Sequence, residues 1–206
     1  MANSIIHGAG VLMAIAGLAV LVFYAGRYGS TWHIAGCATF GASLIFLYTA
    51  STLYHSIQHP RAKAVLRFLD HTAIYVLIAG SYTPFTLVNL RGPWGWFLFG
   101  LVWGLAVLGI VLRITLHRRF IPVSVALYLA MGWAVLIAAG PMASSVAPGG
   151  LLLLLLGGIA YTAGIFFYSW RRLPYNHSIW HAFVLAGSIL HFFAVLFFVV
   201  PMPGRV

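Results

Sequence analysis

Seven stretches of this sequence each match the roughly 20 predominantly apolar residues that a helix needs to cross a bilayer, and nothing else constrains the fold as strongly. They run from Ile5 to Tyr24, Ile34 to Ile57, Phe68 to Leu90, Trp94 to Ile114, Ile121 to Met142, Leu151 to Trp170 and Asn176 to Val200. The breaks between them carry turn-forming or charged residues: Arg27-Tyr28-Gly29-Ser30, His59-Pro60-Arg61, Arg91-Gly92-Pro93, His117-Arg118-Arg119, Pro148-Gly149-Gly150 and Arg171-Arg172-Leu173-Pro174. Breaks this short force neighbouring helices to run antiparallel. Composition agrees, at 63% hydrophobic and 6% charged, whereas a soluble domain is about one quarter charged. The expected fold class is all-α: a bundle of seven transmembrane helices forming a single domain over residues 1–206. No basic segment precedes the first apolar run and further spans follow it, so it reads as a span and not as a cleaved signal peptide.

Eleven Lys and Arg against one acidic residue give a formal net charge of +10. On a soluble surface such an excess would suggest a nucleic-acid partner. Here the bases fall in short clusters between apolar runs, which argues against nucleic acid and brings in the positive-inside rule. The second, fourth and sixth connections hold Arg61, Lys63, Arg67, Arg113, Arg118, Arg119, Arg171 and Arg172, while the other side holds only Arg27, Arg91 and Arg205. This asymmetry predicts a cytoplasmic N-terminus and an outside C-terminus, the reverse of the rhodopsin-like receptors. Trp94 and Trp96 open the fourth span and Trp170 closes the sixth, as interfacial anchors do. The single cysteine, Cys37, rules out an intrachain disulfide and a Cys-based zinc site.

An ionisable side chain inside a span costs about 2.5 to 3.5 kcal/mol on insertion scales, so its position carries information. Ser51 and His55 lie near the end of the second span, Asp70, the one acidic residue, opens the third, and His177 and His181 open the seventh. The topology places all five toward the cytoplasmic face, although they come from three helices. His177 and His181 are spaced i, i+4 and share one helix face, a spacing that suits two ligands of one metal. A third imidazole from His55 would complete a three-histidine site with an open fourth position, one arrangement of catalytic zinc. Asp70 would then hydrogen-bond a ligand imidazole or the metal's water. Three imidazoles favour zinc without excluding iron or nickel.

Each residue also has a plainer reading. Interfacial histidines can bond lipid headgroups or backbone, Asp70 can be a helix-start residue favoured by the macrodipole and paired with Arg67, and Ser51 can bond back to its own helix. Convergence of all of them on one end of the bundle is what favours a site. His71 points about 100 degrees away from Asp70, so at most one of the two faces the site, and Asp70 is chosen. His7 has the right depth but no helical partner, and is a candidate for an outer or substrate-facing role. His191 fits a buried, hydrogen-bonded role, and His33, His59 and His117 are boundary residues. Ser81-Tyr82-Thr83-Pro84 either kinks the third span and widens a cavity beside Asp70 or merely shapes the helix. Asn176, soon after Pro174, reads as an N-cap that holds His177. Gly100 and Gly104 have the spacing of a helix-packing contact.

Taken in order, these residues resemble the hemolysin III branch of the progestin and adipoQ receptor family, which includes the adiponectin receptors. The pattern is Ser51-x-x-x-His55, Asp70 and His177-x-x-x-His181, with matching surroundings at His7-Gly8-Ala9-Gly10, Ala50 to His55, Ile74 to Pro84 and Pro174 to His181. The resemblance covers essentially the whole chain. It implies a zinc ion bound by His55, His177 and His181, with Ser51 and Asp70 beside it as the catalytic pair. The wider superfamily includes alkaline ceramidases, which implies a lipid-amide hydrolase site, and the bacterial branch implies the inner (plasma) membrane. The chain opens almost directly on its first span, so hormone binding is not carried over from the animal receptors.

Three functions compete on these grounds. The first is a zinc-dependent hydrolase of a lipid amide or ester. The second is a lipid-sensing receptor or regulator of membrane homeostasis with structural zinc, which the lack of a second carboxylate keeps open. The third, a cytolytic pore, is disfavoured because the ionisable residues collect at one end. In the first two, membrane lipids are the partners, as substrate or ligand; oligomeric state is not legible.

Overall fold

The computed structural model describes residues 1–116 and 121–201. His117, Arg118, Arg119 and Arg205 lie outside the described residues. Within them the secondary structure is helical: α1 (Ala2–Tyr28), α2 (Thr31–Ser56), α3 (Pro60–Leu87), α4 (Pro93–Leu116), α5 (Ile121–Gly132), a 3-10 turn (Ala134–Ala138), α6 (Ala139–Ser145), α7 (Pro148–Ser169) and α8 (Asn176–Phe198). Seven spans are long and apolar enough to cross a membrane, the fifth being assembled from α5, the 3-10 turn and α6. Helix is the form that hydrocarbon permits, because it pairs backbone N–H and C=O groups within the segment. Side chains such as Ile5, Leu12, Phe23, Leu136 and Phe166 point outward, where lipid is their solvent.

Proline sets three of the helix starts. Pro60, Pro93 and Pro148 each occupy the first helical position, where the fixed φ is already helical and the missing N–H has no partner to lose. As a result α3 begins well before Phe68. Arg61, Lys63 and Arg67 ride on its first turns and do not form a loop, and Asp70 sits in about its third turn. The helix-start explanation of Asp70 therefore fails. His33 and His59 serve as caps: the Ser30 N–H donates to His33 Nδ1 at 3.1 Å and the Ala62 N–H to His59 Nδ1 at 3.5 Å.

The helices pack in chain order and α8 closes back onto α1. Antiparallel succession brings the start of α1, the end of α2, the start of α3, the ends of α4 and α7 and the start of α8 to one end. Of the described bases, Arg61, Lys63, Arg67, Arg113, Arg171 and Arg172 belong to that end and Arg27 and Arg91 to the other, where the Arg91 guanidinium lies 4.7 Å from the Trp32 ring centroid. Close approach of α2 and α3 depends on Gly36, where a Cβ would stand 2.8 Å from Pro84 Cα. Gly100 and Gly104 face open space, so their spacing is not used for packing within the chain.

The fifth span departs from the continuous helix that its apolar run suggests. The helix stops at Gly132 and resumes after the 3-10 turn, which leaves carbonyls short of partners at membrane depth. A single hydroxyl on α3 repairs the gap. Tyr82 donates to the carbonyls of Met131 and Gly132 at 2.9 and 2.8 Å and accepts the Val135 N–H at 3.0 Å. Irregular backbone inside a membrane is tolerated where protein groups satisfy it. Tyr82→Phe should therefore destabilise the fold by about 1 to 3 kcal/mol, the cost of stranding buried backbone polar groups. A melting temperature in detergent several degrees below wild type is the expected result, and an unchanged one contradicts this role.

Candidate metal centre

Three imidazoles meet at the basic end of the bundle. His55 is in the last turn of α2, and His177 and His181 are in the first two turns of α8. The ring centroids form a near-equilateral triangle, 5.0 Å from His55 to His177, 4.9 Å from His55 to His181 and 4.7 Å from His177 to His181. One nitrogen from each lies within 4.8 Å of the others, close enough to hold a metal ion. His55 Nε2 and His177 Nε2 are 3.2 Å apart; two nitrogens at about 2.0 to 2.1 Å from a tetrahedral zinc are separated by roughly 3.3 to 3.4 Å. His181 is 2% exposed, and its Nε2 is buried with no hydrogen-bond partner among the described residues. That burial sets aside lipid headgroups as its partner. A buried, unpaired nitrogen on one of three clustered imidazoles is what a shared cation would satisfy, so the residues fit a metal ion.

Ser51 and Asp70 flank the triangle. Ser51 is fully buried one turn before His55, and its hydroxyl has no hydrogen-bond partner among the described residues. Asp70 forms no ion pair with Arg67 among the described residues; its Oδ2 lies 3.7 Å from His71 Nδ1. Asp70, His177 and His181 line one cavity, which extends along α3, α5, α7 and α8 between apolar walls such as Leu77, Ile78, Leu129 and Val184 as far as His191. His71 lines it too, contrary to the expectation that only one of the adjacent pair faces the site. Its ring bends back so that Nδ1 donates to the Arg67 carbonyl at 2.7 Å, which brings the side chain to the cavity despite its different helical azimuth.

Other residues behave differently from their sequence signals. Asn176 is not the cap of α8; Tyr175 holds that position in the left-handed region, at φ 58. The Asn176 side-chain amide donates to the Tyr168 carbonyl at 3.0 Å, which ties the start of α8 to the end of α7. His191 donates from Nε2 to the Leu154 carbonyl at 3.3 Å, as a buried histidine should, with Gly157 leaving room for its ring. His7 belongs to the centre: it is 2% exposed, and His181 Nδ1 lies 2.8 and 2.6 Å from its two ring nitrogens. Asn3, which composition alone would not single out, reaches His55 Nδ1 at 3.5 Å and accepts the Ser178 hydroxyl at 2.5 Å. Its signal was the i, i+4 spacing to His7, the same spacing that marks the other pairs.

The model of a family described as Haemolysin-III related matches residues 1–192. The chain is 49% identical over 203 residues to the Hemolysin-3 homolog of Bacillus subtilis, covering 98% of this chain and 95% of that protein. It is 46% identical over 201 residues to Hemolysin-3 of Bacillus cereus, covering 98% and 92%. Similarity reaches Monocyte to macrophage differentiation factor of Homo sapiens, 28% identical over 202 residues, covering 94% and 82%.

The geometry yields a direct expectation. Purified protein should bind one metal ion per chain, and His177→Ala or His181→Ala should lower the affinity, measured by competition with a chelator, by more than about 100-fold, beyond what loss of an outer partner costs. Wild-type affinity in both variants contradicts the centre.

Proposed function

This chain belongs to the Haemolysin-III related family, and from that premise we propose that it is a zinc-dependent hydrolase of a lipid amide or ester. The supporting observation is the convergence of His55, His177 and His181 within 4.8 Å, with His177 and His181 lining an apolar cavity that also presents Asp70. His55, His177 and His181 hold the zinc. When bound, the ion supplies Lewis acidity, polarising a carbonyl and making water nucleophilic near neutral pH. Asp70 takes the proton of the attacking water and returns it to the departing amine or alcohol. The unpaired Ser51 hydroxyl hydrogen-bonds substrate or water, and the apolar walls receive the acyl chain and keep bulk water away.

The excess of bases at the histidine end supports a cytoplasmic N-terminus and an outside C-terminus, with the whole chain as one transmembrane domain. Similarity to Bacillus proteins supports the plasma membrane of a bacterium. Membrane lipids are then substrates that reach the cavity sideways from the bilayer. One observation favours a second reading, a lipid-sensing regulator with structural zinc: Asp70 is the sole acidic residue, so no separate carboxylate serves as general acid.

Mass-spectrometric assay of zinc-loaded protein in lipid nanodiscs against ceramides and fatty-acyl esters separates the two. The hydrolase reading expects free fatty acid from wild type and a loss of about 10²- to 10⁴-fold in Asp70→Asn with zinc retained. Equal turnover in both proteins, or none in either, contradicts it and leaves the regulator.

A further inference from the structure

The metal reading assigns α2 and α8 but gives α1 no task, although two of its side chains reach the centre. We infer that His7 is a positioning residue that fixes which nitrogen of His181 is presented to the metal. This inference rests on the metal-binding reading and adds a residue to it.

An imidazole has two nitrogens, and a metal takes one of them. A histidine that ligates through Nε2 keeps its proton on Nδ1, and that proton needs an acceptor; the acceptor fixes both tautomer and ring orientation. The Nδ1 edge of His181 points at the face of the His7 ring, 2.8 and 2.6 Å from its two nitrogens with the rings at 74°, so that the ring receives the N–H, whereas His181 Nε2 is buried with no partner among the described residues. The satisfied nitrogen faces α1 and the unsatisfied one is left for the ion. His7 is itself clamped. Its ring packs edge-on against Tyr48 with centroids 5.0 Å apart and against His181 at 3.7 Å. One turn earlier Asn3 accepts the Ser178 hydroxyl and approaches His55 Nδ1. The Asn3 and Ser178 bond docks the start of α1 on α8 and holds His7 at the depth of His181. Gly10, one turn beyond His7, faces Tyr48 so closely that a Cβ would meet its ring at 2.7 Å, so α1 can sit against α2 only with glycine there.

The test measures metal binding and tautomer, and activity plays no part in it. His7→Leu keeps the volume and removes the acceptor; His7→Gln restores an acceptor oxygen. With affinity measured by chelator competition and the site monitored by the visible spectrum of the cobalt-loaded protein, His7→Leu should weaken binding by about 10- to 100-fold, the range for loss of an outer partner. His7→Gln should recover most of it. In metal-loaded wild type carrying nitrogen-15 histidine, His181 should show its proton on Nδ1, a readout that holds even if a variant does not fold. Wild-type affinity in His7→Leu, or a proton on His181 Nε2, overturns the inference while the metal centre stands. A loss in His7→Leu as large as in His177→Ala also overturns it, because His7 would then be a ligand. Failure of wild type to bind zinc or cobalt removes the metal reading and this inference together.

Discussion

Lipid as solvent is the constraint from which the rest of this structure follows. A backbone group left unpaired in hydrocarbon costs several kcal/mol, so the spanning runs are helical and the one break among them, after Gly132, is closed by the Tyr82 hydroxyl. The same solvent makes each ionisable side chain expensive, and among the described residues most of the bases, the carboxylate and most of the histidines gather at one end of the bundle. Imidazole is the group that tolerates this best, because it is neutral when it ligates a metal or accepts a hydrogen bond.

Gathering His7, His55, His177 and His181 has a cost of its own. Four partly or fully buried rings hold more nitrogens than they can satisfy among themselves, and His181 Nε2 is left over. A cation among them would convert that deficit into coordination. It also accounts for the division of labour between helices: α2 and α8 meet across 3.2 Å at the His55 and His177 Nε2 atoms, α1 supports from behind, and α3 brings the lone carboxylate. Antiparallel packing with short connections delivers those helix segments to one level without any long loop.

Much of this was legible in the sequence because its signals were local. Apolar runs mark the spans, and i, i+4 spacing with depth marks Ser51 with His55 and His177 with His181. What escaped depended on partners distant in sequence or on backbone chemistry. His7 looked isolated because its i−4 neighbour, Asn3, is not ionisable, and its contact with His181 crosses 174 positions. Pro60 starts α3 ahead of the apolar run, which hydropathy could not mark since Arg61, Lys63 and Arg67 follow it. Gly132 within an unbroken apolar stretch gave no sign that a tyrosine on another helix would stand in for the missing helical bonds. Gly100 and Gly104 carried a packing motif whose face points outward.

The central claim is that His55, His177 and His181 together hold a zinc ion, and X-ray absorption at the zinc edge of protein purified without added metal tests it most directly. The account predicts one zinc per chain with three imidazole nitrogens at about 2.0 to 2.1 Å and a lighter oxygen in the remaining position. A sulfur at about 2.3 Å, fewer than two imidazoles, or no zinc in folded protein contradicts it.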